Sequence, residues 1–374
     1  MALFSTDTGH SSDVFPTDYN QILQRLDAVD PVAYSRTRNF LDGSVTRLSP
    51  YISRGVISTH LVMKHLQMQK YPWYKIEKLL QELAWRDYWQ QIWIAKGDQI
   101  NYDLKHKQAD VEHHQIPQSI VDAATGIRAI DHSIQRYYND GYLHNHIRMY
   151  IASITCNVGK SHWKTPARWM YYHLIDADWA SNALSWQWVA GSNASKKYIA
   201  NQANINRYCL TRQRGTFLDM SYDVLPTMSV PNVLLDLTTP DLQTSLPNTE
   251  PLDINPSLPL LIYNYYNLDP NWRATEEYNR VLLLEPSHFE TYPISSNAMN
   301  FMLSLANNVP KIQIFAGEFS ELIKATAISL VYFKEHPLNN HYKGIEDQRD
   351  WMFPVKGYFP SFFGFWKRCK QNLQ

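Results

Sequence analysis

The pattern of apolar residues changes character once along the chain, at a proline-rich stretch between residues 225 and 259. Before this stretch, apolar residues recur at helical spacing over long segments, and alternating strand patterns are lacking before residue 200. After it, short apolar runs are separated by helical patterns, which is typical of a small parallel α/β domain. The sequence therefore predicts a helical domain followed by a small C-terminal α/β domain.

The length of the chain also favours two domains, because 374 residues exceed what one hydrophobic core usually holds. We predict a helical domain at residues 19–220, a proline-rich linker at 221–258 and a Rossmann-like α/β domain of unknown role at 259–374. Four apolar runs predict strands in the last domain, beginning at Leu260, Val281, Ile312 and Ile328. Gly317 has no other glycine close to it in the sequence, so we find no glycine-rich phosphate loop in the α/β domain.

Charge is balanced over the whole chain but unevenly distributed. Residues 1–220 carry 24 Lys and Arg against 19 Asp and Glu, whereas residues 221–374 carry 11 against 16. The mildly basic first part could face phosphate groups. The three cysteines form no C-x-x-C pair, which argues against a disulfide framework, a zinc ribbon or a four-cysteine iron–sulfur cluster.

Neither a signal peptide nor a membrane-spanning stretch is expected from the sequence. The first residues lack a basic segment followed by an apolar run, and no stretch approaches 18 uninterrupted apolar residues. We therefore predict a reduced, cytoplasmic protein without a metal site, and we favour a monomer.

The helical part contains one unusual run, DADWASNALSWQW at residues 176–188. If this run is helical, Asp178, Asn182 and Trp186 fall on one face, because they are spaced at i, i+4 and i+8. Asp and Asn disfavour helix interiors, so local propensity argues against them here. Two interpretations are open: a buried helix whose polar groups are satisfied in the core, or a face that meets a ligand.

Two earlier segments carry further polar groups of interest. GSVTRLS at residues 43–49 places hydroxyl groups around Arg47, which are preferred surroundings for a phosphate, although such runs also cap helices. Residues 74–95 predict a long helix in which Glu82 and Arg86 form an i, i+4 pair. A surface ion pair beside core tryptophans is the alternative interpretation of this helix.

Residues 34–208 resemble the FAD-binding helical domain of the cryptochrome/photolyase family. Four motifs carry the resemblance in the family's order: TRLSPY at 46–51, ELAWRDYW at 82–89, DGYLHNHIRM at 140–149 and IDADWASNALSWQW at 175–188. The chain is closest to the cyclobutane pyrimidine dimer photolyases, in a short form without an N-terminal antenna domain. The α/β domain is then either a rearranged counterpart of the antenna domain or an unrelated addition.

The resemblance implies FAD as the cofactor. In the family, the TRLS run holds the diphosphate and the polar groups of the last motif surround the flavin, with Asn182 facing N5 and Asp176 paired with Arg148. Val45 replaces a hydroxyl residue of the family pattern. The implied cofactor-binding residues are Tyr34, Val45, Thr46, Arg47, Leu48, Ser49, Glu82, Arg86, Asn145, Arg148, Asp176, Asp178 and Asn182.

The resemblance also implies a binding pocket for a pyrimidine dimer and a path for electrons. The matching dimer-binding residues are Glu82, Trp85, Asn145, Met149 and Trp188. Asn145 stands where the (6-4) branch carries a second histidine, which disfavours that branch. Glu82, Asn182, Trp163 and Trp186 are the implied catalytic residues, the two tryptophans being the first members of an electron-transfer chain. The third matching position falls near Asp110, which is not redox-active.

The implied function is light-driven repair of cyclobutane pyrimidine dimers in DNA by electron transfer from reduced FAD. The alternatives are a cryptochrome-like blue-light sensor without repair activity and a flavin-free DNA-binding or interaction scaffold. DNA carrying UV lesions is the expected partner, and an antenna chromophore remains open. The loop after Trp188 lacks the family's usual pattern, and its basic residues are either phosphate contacts or a solvated face: Lys196, Lys197, Arg207, Arg212 and Arg214.

Overall fold

The computed structural model describes residues 14–372. Its first part is helical, as predicted. The helices there are α1 (Tyr19–Asp27), α2 (Pro31–Thr37), α3 (Ser49–Ser53), α4 (Thr59–Met68), α5 (Trp73–Lys96), α6 (Gln118–Val121), α7 (Arg128–Asp140), α8 (Asn145–Ala152), α9 (Lys164–His173), α10 (Trp179–Ala190) and α11 (Gln202–Cys209), with a π-helical segment at Ser153–Val158.

Short-range signals in the sequence account for several helix ends. Asp18 caps α1, because its carboxylate accepts a hydrogen bond from the backbone N–H of Gln21 at 3.0 Å. Helix α7 ends at Gly141, whose φ of 64° lies in the left-handed region. A Cβ at this glycine would lie 2.6 Å from Cγ2 of Ile175, so both the backbone and the space require glycine.

The C-terminal part is built on a five-stranded sheet. Its strands are β3 (Leu260–Tyr263), β4 (Asn279–Leu284), β5 (Gln313–Ala316), β6 (Val331–Lys334) and β7 (Ile345–Asp347), and its helices are α12 (Pro286–Thr291), α13 (Ser296–Ala306), α14 (Phe319–Thr326) and α15 (Phe362–Lys370). The strand order is β5-β4-β3-β6-β7, and all neighbouring strands are parallel. The predicted architecture, a helical part followed by a small α/β part, is confirmed.

Alternate residues of the two central strands face two different apolar clusters. Leu261 and Leu282 pack in the cluster that also contains the core of the helical part. Leu260 and Val281 pack on the opposite face, in a smaller cluster with Leu322 of α14. Both faces of the sheet are therefore covered, as a parallel sheet requires, and one face shares its core with the helices.

The predicted linker packs against the helical part. Within it, strand β2 (Leu237–Thr238) pairs antiparallel with β1 (Ile116–Pro117), and the side chains of Leu225 and Leu234 are buried. The proposed domain boundaries stay a prediction, and residues 373–374 and the first 13 residues lie outside the described part. Between residues 14 and 372, none of the helices combines the length and the apolar character needed to cross a membrane.

Candidate functional site

The start of α10 differs from the sequence prediction. The helix begins at Trp179, and Asp178 is its N-cap, because the carboxylate accepts a hydrogen bond from the backbone N–H of Ser181 at 2.7 Å. The prediction that Asp178 lies within the helix is therefore wrong, and its poor helix propensity has a physical reason: Asp is a preferred N-cap residue. Asn182 does lie in the first turn, buried, and its Nδ2 donates to the carbonyl of Ala167 at 2.8 Å.

Asp176 and Arg148 form the ion pair that the resemblance implies, in which Asp176 is buried and Arg148 is partly exposed. Nη2 of Arg148 lies 2.8 and 3.0 Å from the two carboxylate oxygens of Asp176. Burial alone would raise the pKa of the Asp176 carboxyl, but Arg148 and a hydrogen bond from Ser49 outweigh burial and hold it below its ordinary value. The backbone is also fixed here, since Oγ of Ser53 donates to the carbonyl of Asp176 at 2.7 Å.

A second part of the site surrounds the TRLS loop at residues 46–49. Arg47 is exposed and has a φ of 51°, a left-handed conformation that is strained for a residue with a side chain and is often found at functional sites. Leu48 is buried, and Thr46 accepts a hydrogen bond from the backbone N–H of Leu48 at 3.3 Å. The loop thus leads directly into α3, where Ser49 contacts Asp176.

Two arginines, Arg25 and Arg47, lie close together at this loop, and in the part of the chain that the structure describes neither forms an ion pair with a carboxylate. The pKa of Arg25 is lowered by burial and further by the neighbouring charge of Arg47. Within residues 14–372, Nη1 of Arg25 and the hydroxyl of Tyr51 are buried without a hydrogen-bond partner, and the Arg25 guanidinium lies 6.0 Å from the Tyr51 ring. An anionic group bound here would satisfy these donors, so the residues present fit a cofactor that carries a diphosphate.

Two tyrosines line the region between the loop and the ion pair. Burial raises the pKa of Tyr34 far above its ordinary value, and Glu82 raises it further. Burial likewise raises the pKa of Tyr142, whose ring lies 5.6 Å from the guanidinium of Arg148. The structure thus brings Tyr34 and Glu82 close together, on the side of the ion pair where Tyr142 lies.

The predicted pairing of Glu82 with Arg86 is replaced by two other pairings. Oε1 of Glu82 lies 2.8 Å from Nζ of Lys78 and 3.6 Å from Nε of Arg38. Nη1 of Arg86 instead lies 3.7 Å from Oδ2 of Asp178. The two residues therefore serve different parts of the site, although they sit one turn apart on α5.

The residues expected to hold a pyrimidine dimer lie in different environments. Asn145 is exposed, and its amide approaches Sδ of Met149 at 3.7 Å. Trp188 is 38% exposed, with its ring 6.0 Å from that of Tyr198. Trp85 is stacked on Phe362 of α15, with ring centroids 3.7 Å apart and planes within 9°. One face of the Trp85 ring is therefore already covered by the C-terminal helix.

The two tryptophans expected to carry electrons are both buried. Trp186 is 2% exposed and Trp163 is fully buried. The indole Nε1–H of Trp163 donates to Oδ1 of Asp103 at 2.8 Å. At the third position, Asp110 is paired with Lys197 at 2.7 Å.

The basic residues that follow α10 lie in the loop before α11, in α11 itself and after it. Lys197 is engaged by Asp110, whereas the others are exposed: Lys196, Arg207, Arg212 and Arg214. These four side chains are free to contact phosphate groups, but a solvated basic face has the same appearance.

Sequence reasoning missed three residues that shape the site. Arg54 is fully buried over the ring of Tyr265, 3.4 Å from its centroid, and burial lowers its pKa to about 10. Gln90 donates to Oδ2 of Asp178 at 2.6 Å, and Phe362 covers Trp85. Only Gln90 left a signal in the sequence, as a polar residue one turn beyond Arg86 and next to Trp89.

Comparison with known proteins identifies the helical part. Residues 79–216 match the family described as the FAD binding domain of DNA photolyase. A deoxyribodipyrimidine photo-lyase of Alkalihalophilus pseudofirmus is 30% identical over 161 residues, which is 42% of this chain and 34% of the relative. A cryptochrome DASH of Gloeobacter violaceus is 30% identical over 174 residues, covering 42% of this chain and 33% of the relative.

A similar solved structure is a bacterial class III photolyase from Agrobacterium tumefaciens, with 23% identity and a TM-score of 0.47 over 53% of this chain and 44% of that chain. The chain spans about a third of the length of the curated relatives it matches. The resemblance found in the sequence is confirmed: the helical part is similar to the FAD binding domain of DNA photolyase and to relatives named as photolyases and as cryptochrome DASH.

Proposed function

We propose that this protein binds FAD in its helical part and uses it to repair cyclobutane pyrimidine dimers in DNA under blue or near-UV light. The observation that carries the proposal is the ion pair of Arg148 with buried Asp176, within the stretch that matches the FAD-binding domain. A buried carboxylate is costly to maintain in the absence of a role, because it loses its hydration. The unpartnered Nη1 of Arg25 supports an anionic ligand close by.

The residues that would hold FAD fall into two groups. Arg47 and Arg25 would neutralise the diphosphate, Ser49 would donate a hydrogen bond to it, and Tyr34 would line the cofactor. Around the flavin would lie the residues fixed by the ion pair and by the N-cap of α10: Arg148, Asp176, Asp178 and Asn182. When bound, FAD in its reduced form supplies the light-absorbing donor of one electron that splits the dimer.

The chain's own residues would bind the lesion and exclude water from it. Glu82 and Asn145 would supply polar contacts to the carbonyl and imide edges of the pyrimidines, and Met149 would fill the remaining apolar space. Trp85 and Trp188 would contact the apolar rings. Since Phe362 covers one face of Trp85, only its other face would be available unless α15 moves.

The (6-4) lesion is a poorer candidate substrate. Its repair needs a proton delivered to a hydroxyl group, for which histidine is the natural donor near neutral pH. Both histidines beside Asn145 are engaged elsewhere: Nδ1 of His144 accepts from the backbone N–H of His146, and the His146 ring is stacked 4.9 Å from that of Tyr208. Burial also lowers the pKa of His144 to about 4, which keeps it neutral.

A blue-light sensor without repair activity is the second candidate. The stacking of Phe362 on Trp85 favours it, because a helix that closes the lesion pocket and responds to the cofactor would be a means of signalling. The two functions require the same cofactor but differ in what they do with damaged DNA.

The test measures cofactor and repair in one preparation. Purified protein is loaded with FAD, reduced, and incubated under blue light with two oligonucleotides that carry either a cyclobutane dimer or a (6-4) product. We expect the cyclobutane dimer to disappear and the (6-4) product to persist. Unchanged amounts of both lesions with a bound flavin would instead support the sensor, and a protein that stays colourless with excess FAD would refute cofactor binding.

A matched pair of variants locates the cofactor. Asp176→Asn removes the partner of the partly buried Arg148, and we expect at least a tenfold loss of FAD affinity. Asp140→Asn removes the partner of the largely exposed Arg136 in an i, i+4 pair on α7, and FAD affinity should stay within twofold. Equal affinities of the two variants would place the cofactor elsewhere.

A further inference from the structure

The strand order of the C-terminal sheet defines a position where ligands commonly bind. Strand β3 is the first of the sheet in the chain; the chain then continues to β4 and β5 on one side and returns to β6 and β7 on the other. In open parallel sheets, the crevice at the carboxyl ends of the two strands where this direction reverses is the usual ligand site. Here that crevice lies between the ends of β3 and β6.

A cavity of about 260 Å³ opens at this position. Its lining includes Asn264 and Asn267, which follow β3, and Glu335 and Asn339, which follow β6. Nδ2 of Asn264 donates to Oδ1 of Asn339 at 3.0 Å, which joins the two strand ends across the crevice. The cavity thus lies at the position in the sheet where the strand order indicates a ligand site.

The helical part closes the cavity from the opposite side. Asp87 and Gln90 of α5 line the cavity on this side, and each accepts a hydrogen bond from a residue near the C-terminus of the chain. The backbone N–H of Met352 donates to Oδ2 of Asp87 at 3.1 Å, and Nη1 of Arg349 donates to Oε1 of Gln90 at 2.6 Å. These contacts fix the shape of the cavity before any ligand enters.

The charges of the lining decide which ligands fit. Asp87, Asp178, Asp269, Glu335 and Asp350 outnumber Arg86, Lys334 and Arg349. The turn after β3 reads Asn-Tyr-Tyr-Asn and offers no glycine-rich loop for a phosphate. Amide side chains provide both hydrogen-bond donors and acceptors, which suit the edge of a base and the hydroxyl groups of a sugar.

We propose that this cavity binds a neutral or cationic ligand of nucleoside size that carries no phosphate group. Asn267 supports a polar ligand, because it is 7% exposed and its Nδ2 has no hydrogen-bond partner within the described part of the chain. Tyr266 and His336, stacked on one another at 4.2 Å, form an aromatic wall of the same cavity. The cavity adjoins the candidate cofactor site and shares four residues with it: Ser53, Arg86, Gln90 and Asp178.

The proposal is tested by calorimetric titration of the FAD-loaded protein. The ligands are adenosine, guanosine, inosine and thymidine, and each is compared with its 5′-monophosphate. We expect at least one nucleoside to bind, and its monophosphate to bind at least tenfold more weakly because the lining is acidic. Flavin absorbance is recorded throughout. The proposal would be overturned if none of the four nucleosides binds. It would also be overturned if a nucleoside and its monophosphate bind with equal affinity, or if the nucleoside releases FAD.

Two variants and a control make the test specific. Asn267→Leu keeps the volume but removes the amide, and should weaken nucleoside binding at least fivefold, whereas Asn307→Leu changes an exposed asparagine outside the cavity and should leave binding unchanged. Asp269→Asn removes one negative charge from the lining, and the ratio of nucleoside affinity to monophosphate affinity should fall at least threefold. Unchanged binding and selectivity in both cavity variants would overturn the proposal, while cofactor binding is judged independently from the flavin spectrum.

Discussion

Asp87 is the buried acid whose ionisation most directly links stability to pH. Burial raises the pKa of its carboxyl to about 6, although Thr59 and the backbone N–H of Met352 donate hydrogen bonds to it. A raised pKa means that the folded state binds a proton more tightly than the unfolded state does. The stabilisation is therefore complete below the ordinary pKa of 3.8 and is lost as pH rises through about 6.

This shift predicts the behaviour of Asp87→Asn. At 1.36 kcal/mol per pKa unit, the rise of the pKa from 3.8 to about 6 is worth about 3 kcal/mol of unfolding free energy in total, and the parent should lose most of it between pH 4 and pH 7. The variant lacks the titrating proton, so its unfolding free energy should rise relative to that of the parent by a similar amount as pH increases over the same range. Urea unfolding at several pH values measures it, with exposed Asp98→Asn as the control. A pH-independent difference would contradict the prediction.

Asp103 gives a second prediction at the scale of single residues, which rests on the proposed electron path. An indole that has lost an electron becomes a stronger acid, and Oδ1 of Asp103 is placed 2.8 Å from Nε1 of Trp163 to take its proton. Asp103→Asn keeps an acceptor but is no longer a base. We expect several-fold less flavin photoreduction, and a tryptophan radical that stays protonated in transient absorption spectra.

Asp110→Asn is the matched control for this experiment, since it removes an aspartate that pairs with Lys197 and lies at the third chain position. Photoreduction should proceed at the parent rate in that variant. Equal rates in both variants and the parent would show that Asp103 takes no part in electron transfer.

Several site residues could be predicted from their spacing, and others could not. Asp178 and Asn182 were correctly placed one turn apart, but the helix start was misplaced, because an N-cap and an interior residue look alike in a periodic pattern. The pairing of Arg148 with Asp176 came from the resemblance alone. Arg54 could not be found, since the tyrosines that cover it come from the other half of the chain.

The packing of α15 on α5 connects the last helix of the chain with the proposed lesion pocket. Phe362 is 3% exposed and stacked on Trp85, whereas its neighbour Phe363 is 69% exposed. The hydroxyl of Tyr88 donates to the carbonyl of Phe359 at 3.1 Å, and Nζ of Lys370 lies 3.5 Å from Oε1 of Glu77. These contacts hold α15 along one face of α5.

A conservative substitution separates the roles of these two phenylalanines. Phe362→Leu keeps an apolar side chain but loses the stacked ring, and should lower the unfolding free energy by about 1 kcal/mol. If Phe362 competes with the lesion for Trp85, dimer-containing DNA should bind several-fold more tightly to this variant in a fluorescence titration. Phe363→Leu should change neither quantity. Unchanged DNA affinity in Phe362→Leu would show that α15 does not limit access.

The elements themselves were more predictable than their contacts. Runs with strong periodicity, such as those that form α5 and β4, were located to within a few residues. Strand β6 begins at Val331, three residues later than its apolar run, because Ala327 closes α14 in a left-handed conformation and residues 328–330 complete the connection. The stacking of α15 on α5 joins segments far apart in sequence, and local patterns carry no information about it.

For the molecule as a whole, zero net charge with a mildly basic first part predicts weak, salt-dependent DNA binding. Four exposed cations after α10 would release about four counterions, giving a slope of log affinity against log salt near −3.6. Affinity should fall on the order of 10²-fold between 50 and 200 mM salt. Arg212→Ala should reduce the slope by about 1, whereas Arg136→Ala on α7 should leave it unchanged. A slope near zero would exclude phosphate contacts as the source of affinity.

The apolar core shared between the helices and one face of the sheet has a consequence for how the chain acquires its structure. Leu261 and Leu282 are buried in the same cluster as Ile22 and Leu80, so removing either half would expose apolar surface of the other to water. The family motifs lie in the first half, yet that half should not fold reliably when synthesised alone. Folding and unfolding of the two halves should instead be one cooperative event, and a destabilising change in the sheet should also destabilise the helices that form the candidate cofactor site.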